Sequence, residues 1–248
     1  HHMYFYNRMV TSDSSRLLYC AEINGRRNLY LMELATGDAV QLTEGDALDD
    51  YGAMISADDK SVYYQQDRKV WKLDLATLQR TCLYAAPDGW DCGNWGMSDD
   101  NRYLVMTETR RDTLPDLTGK KGWEFFPLTS AAKPLCHIVY LDTQTGEHHI
   151  VVEDRCWFGH AQLRPGDPDT ILFCHEGPYD MIDARLWLIQ SDGSRYRCAR
   201  PQPKDVIITH EFWMPTGDRL AYVYRKADDG STETIRMMRP ETLEEELF

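Results

Sequence analysis

The sequence predicts an all-β fold, a chain of about five four-stranded antiparallel units in one domain over 1–248. Three observations carry this. A polar turn recurs at Ser12, Ser56 and Ser98, 44 and 42 residues apart, and 40–45 residues is the spacing of one β-propeller blade. Each turn precedes runs that alternate apolar and polar residues and are rich in aromatic and β-branched side chains, as half-buried strands are. Thr-Gly and Asp-Gly pairs such as Thr36-Gly37, Thr145-Gly146 and Asp192-Gly193 supply tight turns between those runs.

The repeat can be followed in order. Its strand pairs are expected near 16–20 and 28–34, 61–66 and 69–75, 102–107 and 137–142, 170–174 and 186–190, and 219–224 and 233–238. The third unit is interrupted by an insertion loop over 107–136 that holds Arg110, Arg111, Lys120, Lys121 and Lys133 beside Trp123, Phe125 and Phe126. Two readings stand side by side: a solvated loop pinned by its aromatics, or a basic flap that attracts an anionic ligand.

Composition narrows the function classes. A net charge of −13 argues against nucleic acid, which needs a basic face. No run approaches the ~18 apolar residues of a membrane span, so no membrane partner is expected. Seven cysteines without CxxC spacing read as free thiols in a reducing compartment, and no leader sequence is apparent, so a cytoplasmic location is expected. His1-His2-Met3 is set aside as a possible tag remnant.

Ionisable residues concentrate in Cys174–Trp187, a loop between two apolar runs that carries His175, Glu176, Asp180, Asp183 and Arg185. A second His-Glu pair, His210-Glu211, occupies the corresponding place one repeat later, and His160 stands just before a strand of the same region. Loops and strand ends on a rigid scaffold are where sites are built. His160, His175, Arg185 and His210 are therefore expected to converge on one face, with Glu176 beside them. His137, His148 and His149 have no partner cluster in sequence and read as structural or surface residues, and the cysteines read as small core residues. No Gly-rich phosphate loop, nucleophile elbow or HExxH motif is present.

Several motifs then make a resemblance specific: Tyr4-Phe5-Tyr6-Asn7, Arg27-Asn28-Leu29-Tyr30, Ala39-Val40-Gln41-Leu42-Thr43-Glu44-Gly45, Cys174-His175-Glu176-Gly177-Pro178, Asp183-Ala184-Arg185-Leu186-Trp187 and Thr209-His210-Glu211-Phe212-Trp213. Together they resemble the oligogalacturonate lyases of pectin catabolism along essentially the whole chain. The resemblance implies a seven-bladed propeller that cleaves short galacturonate oligomers, a small anionic substrate, in the bacterial cytoplasm. It implies His210 as the catalytic base and Arg185 as the positive charge beside it; His175, His160 and Glu176 are expected to contact substrate. It also implies a divalent metal, Mn2+, whose ligands, three histidines and a glutamine, fall beyond Phe248. The chain is accordingly expected to be incomplete at its C-terminus, and at its N-terminus too. A non-catalytic propeller that binds an anionic sugar, and a TolB-like interaction scaffold, are the alternative readings.

β-Elimination explains those residue types. It removes the proton at C5 of a uronate, beside the carboxyl group, and expels the oxygen at C4. Positive charge stabilises the enolate-like transition state, and a neutral histidine is suited to take the proton.

Overall fold

The computed structural model describes residues 7–45, 48–227 and 232–248. Tyr4, Phe5 and Tyr6 of the first motif, and His1-His2-Met3, lie outside them. The chain divides into two compact units, 1–88 and 89–248.

In the first unit, β1 (Arg16–Ile23), β2 (Arg26–Glu33) and β3 (Ala39–Gln41) form one antiparallel sheet. An isolated bridge from Val10 to Leu17 extends it. A second sheet runs β4 (Leu48–Ile55), β5 (Ser61–Gln66), β6 (Lys69–Asp74) and β7 (Arg80–Ala85). The apolar faces of the two sheets share one core, which includes Leu18, Leu29, Ile55, Val62 and Tyr64.

The second unit holds three four-stranded sheets, each ordered as its strands occur in the chain. The first is β8 (Trp90–Met97), β9 (Tyr103–Arg110), β10 (Leu135–Asp142) and β11 (His148–Arg155). The second is β12 (Phe158–Arg164), β13 (Asp167–His175), β14 (Leu186–Gln190) and β15 (Arg197–Cys198). The third is β16 (Val206–Trp213), β17 (Leu220–Lys226), β18 (Thr234–Met238) and β19 (Glu245–Leu247). All ten expected strands are present to within a few residues. In the four-stranded sheets the recurring polar turn lies between the first and second strands, so the sequence repeat starts one strand later than the sheet does; in the three-stranded first sheet it precedes β1.

That turn has a local cause. The Ser56 hydroxyl donates to Asp58 (2.6 Å) and accepts the Ser61 N–H (2.9 Å). Ser98 does the same with Asp100 and Tyr103, and Thr11 with Asp13 and Arg16. The aspartates also accept backbone N–H groups, closing an Asx-type turn. These hydrogen bonds favour the ionised form and hold Asp13 down to about 2.

β13 shows how the second unit is layered. Ile171 and Phe173 face a core shared with β9, β10 and β12. Leu172, with Leu186 and Leu188 of β14, faces a core shared with Val206, Ile208, Trp213 and Tyr222 of the third sheet. Side chains of a strand alternate between faces, so one strand feeds both cores.

The interruption of the third repeat is shorter than 107–136, because β9 and β10 pair as far as Thr109 and Cys136. Residues 111–134 remain between the strands. They include a short helix, α1 (Phe125–Ala132), where a loop was expected. Phe125 and Phe126 meet Trp157 at 6.2 and 5.4 Å. Ser130 of α1 crowds the α-carbon of Gly177, whose φ of 152° and lack of a side chain permit the approach. Arg110 pairs with Asp112 and Arg111 with Asp91, while Lys120, Lys121 and Lys133 are exposed. The aromatics thus pin the insertion onto the second sheet.

Candidate active site

The first strands of the second unit share an irregularity. In β12, Gly159 pairs with Cys174 and Gln162 with Leu172, three steps against two. In β16, Thr209 pairs with Val223 and Phe212 with Ala221, again three against two. β8 repeats the slip between Cys92 and Trp95. Each is a β-bulge, one extra residue in the bulged strand. His160 and His210 sit at the same place in their bulges, with φ of 51° and 55°, a left-handed backbone that non-glycine residues adopt at a cost of about 1–2 kcal/mol. The extra residue moves the core-facing set by one. In β16, Val206 and Ile208 before the bulge, and Glu211 and Trp213 after it, are all buried.

Glu211 is therefore turned inward, fully buried, and meets three groups from the second sheet. Arg185 reaches its carboxylate through Nε (2.7 Å) and Nη2 (3.2 Å), and His160 Nδ1 through a 3.0 Å contact. Its backbone carbonyl accepts a hydrogen bond from Gln162 Nε2 (2.9 Å). On the other side, Arg185 Nη1 and Nη2 donate to Glu176 at 2.9 and 3.4 Å. His160 Nε2 lies 3.1 Å from Glu176 Oε1, and the Cys174 thiol donates to the same oxygen at 3.3 Å. Arg185 is 5% exposed, Glu176 8% and Glu211 0%.

The electrostatics follow from this geometry. Burial alone would lower the pKa of His160, but Glu211 and Glu176, one on each ring nitrogen, push it up to about 9. Burial would likewise raise Glu176, but the Arg185 guanidinium and the His160 hydrogen bond hold it down to about 2. Glu211 is driven well below the carboxylate range by the same two cations. Burial pushes the Cys174 thiol up. At neutral pH the cluster thus holds two carboxylates, one guanidinium and one imidazolium, and its charges cancel.

His160, Cys174 and Glu176 offer one ligand atom each within 4.8 Å of one another, a spacing a metal ion could use. Their bonding does not suit one. Both nitrogens of His160 and both oxygens of Glu176 are occupied, and the thiol is held protonated. A divalent cation there would also sit beside Arg185 and imidazolium, two like charges.

The expected convergence holds for His160, Arg185 and Glu176. For His175 it is corrected. His175 alternates with Cys174 and Glu176 along the strand and so takes the other face. There its ring stacks on Trp187 at 4.4 Å, lies 5.6 Å from Phe158, and bonds Tyr196 Oη through Nε2 (3.0 Å). Burial lowers its pKa to about 4, so it is neutral. His210 follows the bulge outward and is exposed, one residue from the buried carboxylate. Arg185 was expected as a positive charge beside His210; in the structure its charge is directed at Glu176 and Glu211. Asp180 is exposed. Glu211 and Gln162 are the residues that sequence reasoning left outside the site. The signal for Glu211 was the break in apolar alternation at His210, after which the buried positions are the odd-numbered ones.

Similarity to known proteins bears directly on this arrangement. The sequence pattern of the family described as oligogalacturonate lyase matches residues 1–247. The chain belongs to the oligogalacturonate lyase family. It is 39% identical over 248 residues to an oligogalacturonate lyase of Dickeya dadantii (strain 3937), covering 98% of this chain and 62% of that protein. A solved oligogalacturonate lyase in complex with manganese superposes with a TM-score of 0.91 at 38% identity, over 100% of this chain and 65% of the other. The chain thus spans less than two thirds of the length of these relatives. TolB from Acinetobacter baumannii, at 15% identity and a TM-score of 0.61 over 94% of this chain and 52% of its own, shares the fold alone. The fold class is all-β, of the propeller kind expected. No helix among the described residues is long and apolar enough to cross a membrane.

Proposed function

We propose that this chain carries the proton-abstracting half of a lyase that cleaves short galacturonate oligomers by β-elimination, in the cytoplasm. One observation supports it most: an exposed histidine, His210, is held at a strained bulge directly beside a buried ion cluster whose charges cancel. His210 is the base. It takes the C5 proton of the uronate, the electron pair forms the C4–C5 double bond, and the C4–O bond breaks with its electrons on the departing sugar oxygen. Exposure keeps the ring accessible to substrate.

The cluster has an electrostatic part in this reading. Glu176 and Glu211 alone would set two negative charges near an incoming carboxylate, and like charges in a low-dielectric setting repel strongly. Arg185 and His160 cancel both. A divalent cation, manganese in the related lyase, is the proposed cofactor, bound outside this cluster. It would supply positive charge to the carboxylate while the C5 proton is lost.

The test is a lyase assay on digalacturonate with the full-length protein and added manganese, following the ultraviolet absorbance of the conjugated product. Saturable binding of digalacturonate without any new absorbance would end the lyase reading.

A further inference from the structure

We propose that Glu211 is a positioning residue for His210: clamped from the neighbouring sheet, it fixes the bulge that presents the base. This rests on the reading of His210 as the base. Glu211 does not reach substrate itself, since it is fully buried.

Four observations converge on it. First, His210 has a left-handed φ although it carries a side chain, so its conformation must be imposed by what surrounds it. Second, the residue that follows is held more tightly than a strand residue needs. Its carboxylate takes Arg185 Nε, Arg185 Nη2 and His160 Nδ1, and its carbonyl takes Gln162 Nε2. Third, all these partners belong to the second sheet of the unit, while Glu211 belongs to the third. They therefore fix β16 relative to β12 and to the turn that enters β14, a constraint β16 does not obtain from its own ladder with β17. Fourth, the partner bulge in β12 supplies one of the ties, His160. The two bulges are bonded to each other.

The consequence is geometric. Because strand side chains alternate, a slip of one residue exchanges the inward and outward sets. Without the bulge, Glu211 and His210 would trade faces and the base would point into the core. The ties on Glu211 stabilise the arrangement in which the carboxylate is inside and the imidazole outside. With Glu211 loosened, His210 samples other positions, and misplacing a catalytic group by about 1 Å costs roughly 100-fold in rate.

The experiment compares Glu211→Gln and Gln162→Leu with wild type in the full-length protein. Turnover of digalacturonate is measured alongside the imidazole resonances of histidine-labelled protein, His210 being assigned by its loss in His210→Gln. Glu211→Gln should lower kcat by roughly 10- to 100-fold and leave KM within about twofold, since a positioning loss acts on the transition state. The His210 resonance should shift or broaden, while those of His137, His148 and His149 stay in place and report an intact fold. Gln162→Leu removes only the carbonyl tie and should do the same to a smaller degree, about 3- to 10-fold; it serves if Glu211→Gln does not fold. A folded variant with wild-type kcat and an unmoved His210 resonance would overturn the proposal. If wild type eliminates nothing, the lyase reading fails, and the His210 resonance still decides whether Glu211 positions it.

Discussion

His160 and His210 occupy the same position of the same bulge in consecutive sheets, with nearly the same φ. One ring lies between two carboxylates, charged and nearly buried, while the other is exposed and follows a buried glutamate. The backbone device is common to both, so it cannot be what separates their roles. The neighbours do that. His160 has Glu176 and Glu211 within 3.1 Å on its two nitrogens, which fixes it as a cation. A histidine in that state has no ring lone pair left to accept a proton, so His160 is not placed to act as a base.

The largest expected effect comes from breaking the cluster both histidines depend on. Arg185→Lys leaves a single ammonium where a flat fork bridges two carboxylates, so Glu176 and Glu211 lose bonds in a buried setting. Removing one partner of a buried ion pair outright costs about 3–5 kcal/mol; lysine keeps the charge but not the fork, so Arg185→Lys should fall toward the lower end of that range, to be read from the urea midpoint. A midpoint within about 1 kcal/mol of wild type, judged against that same range, would show that the cluster is not a clamp.

His210→Ala is the opposite case. The side chain is exposed, and alanine pays the same left-handed strain, so thermal stability should change little. Loss of a general base should cost about 10²–10⁴-fold in kcat with ground-state binding retained. A folded His210→Ala protein with normal turnover would remove the base assignment and leave the two bulge histidines without a functional contrast.

The protonation states can be separated by pH. His160 is raised to about 9 from an ordinary 6.5. A raised pKa means the folded state holds the proton more tightly than the unfolded chain does. The stabilisation is complete below about pH 6.5 and is lost as pH rises through 9. Thermal stability should therefore fall across that window in wild type, and His160→Gln should flatten this part of the curve while lowering stability at neutral pH. An unchanged alkaline slope in that variant would mean that His160 does not carry the charge.

Much of this was legible in the sequence, and the part that was not has a physical reason. The middle strands could be read because each is a short unbroken run of apolar, aromatic or β-branched residues bounded by turn signals: Ser61–Gln66 and Leu186–Gln190 end within a residue of where they were expected. The first strands were harder. A bulge shifts the alternation in mid-strand, so Val206–Trp213 shows neither a clean period of two nor a turn. Charged residues at buried positions mislead as well. Glu176, Arg185 and Glu211 satisfy one another across two sheets, and a pattern of single positions does not show that. The resemblance to the lyase family supplied His210 and Arg185, but the partner of Arg185 could be found only in three dimensions.

The smallest effect should come from His175, which the comparison of strand faces removes from the cluster. Its ring lies among Phe158, Phe173, Trp187 and Tyr196, so phenylalanine fits its shape and gives up one hydrogen bond, to Tyr196 Oη. A single neutral hydrogen bond contributes about 0.5–1.5 kcal/mol, and part of that is recovered because a phenyl ring is more favourably buried than imidazole. His175→Phe should thus keep kcat and KM within about twofold, the range a substitution outside the reacting groups produces. It should also change the acid side of the stability curve. The folded pKa near 4 lies below the ordinary 6.5, so the unfolded chain takes up the proton first. Wild type should lose stability as pH falls from about 6.5 toward 4, and the variant should lose that slope. A several-fold rise in KM with an unchanged acid slope would contradict both expectations. It would place His175 in contact with substrate, and the face of β13 that packs against the first sheet of this unit would then belong to the site.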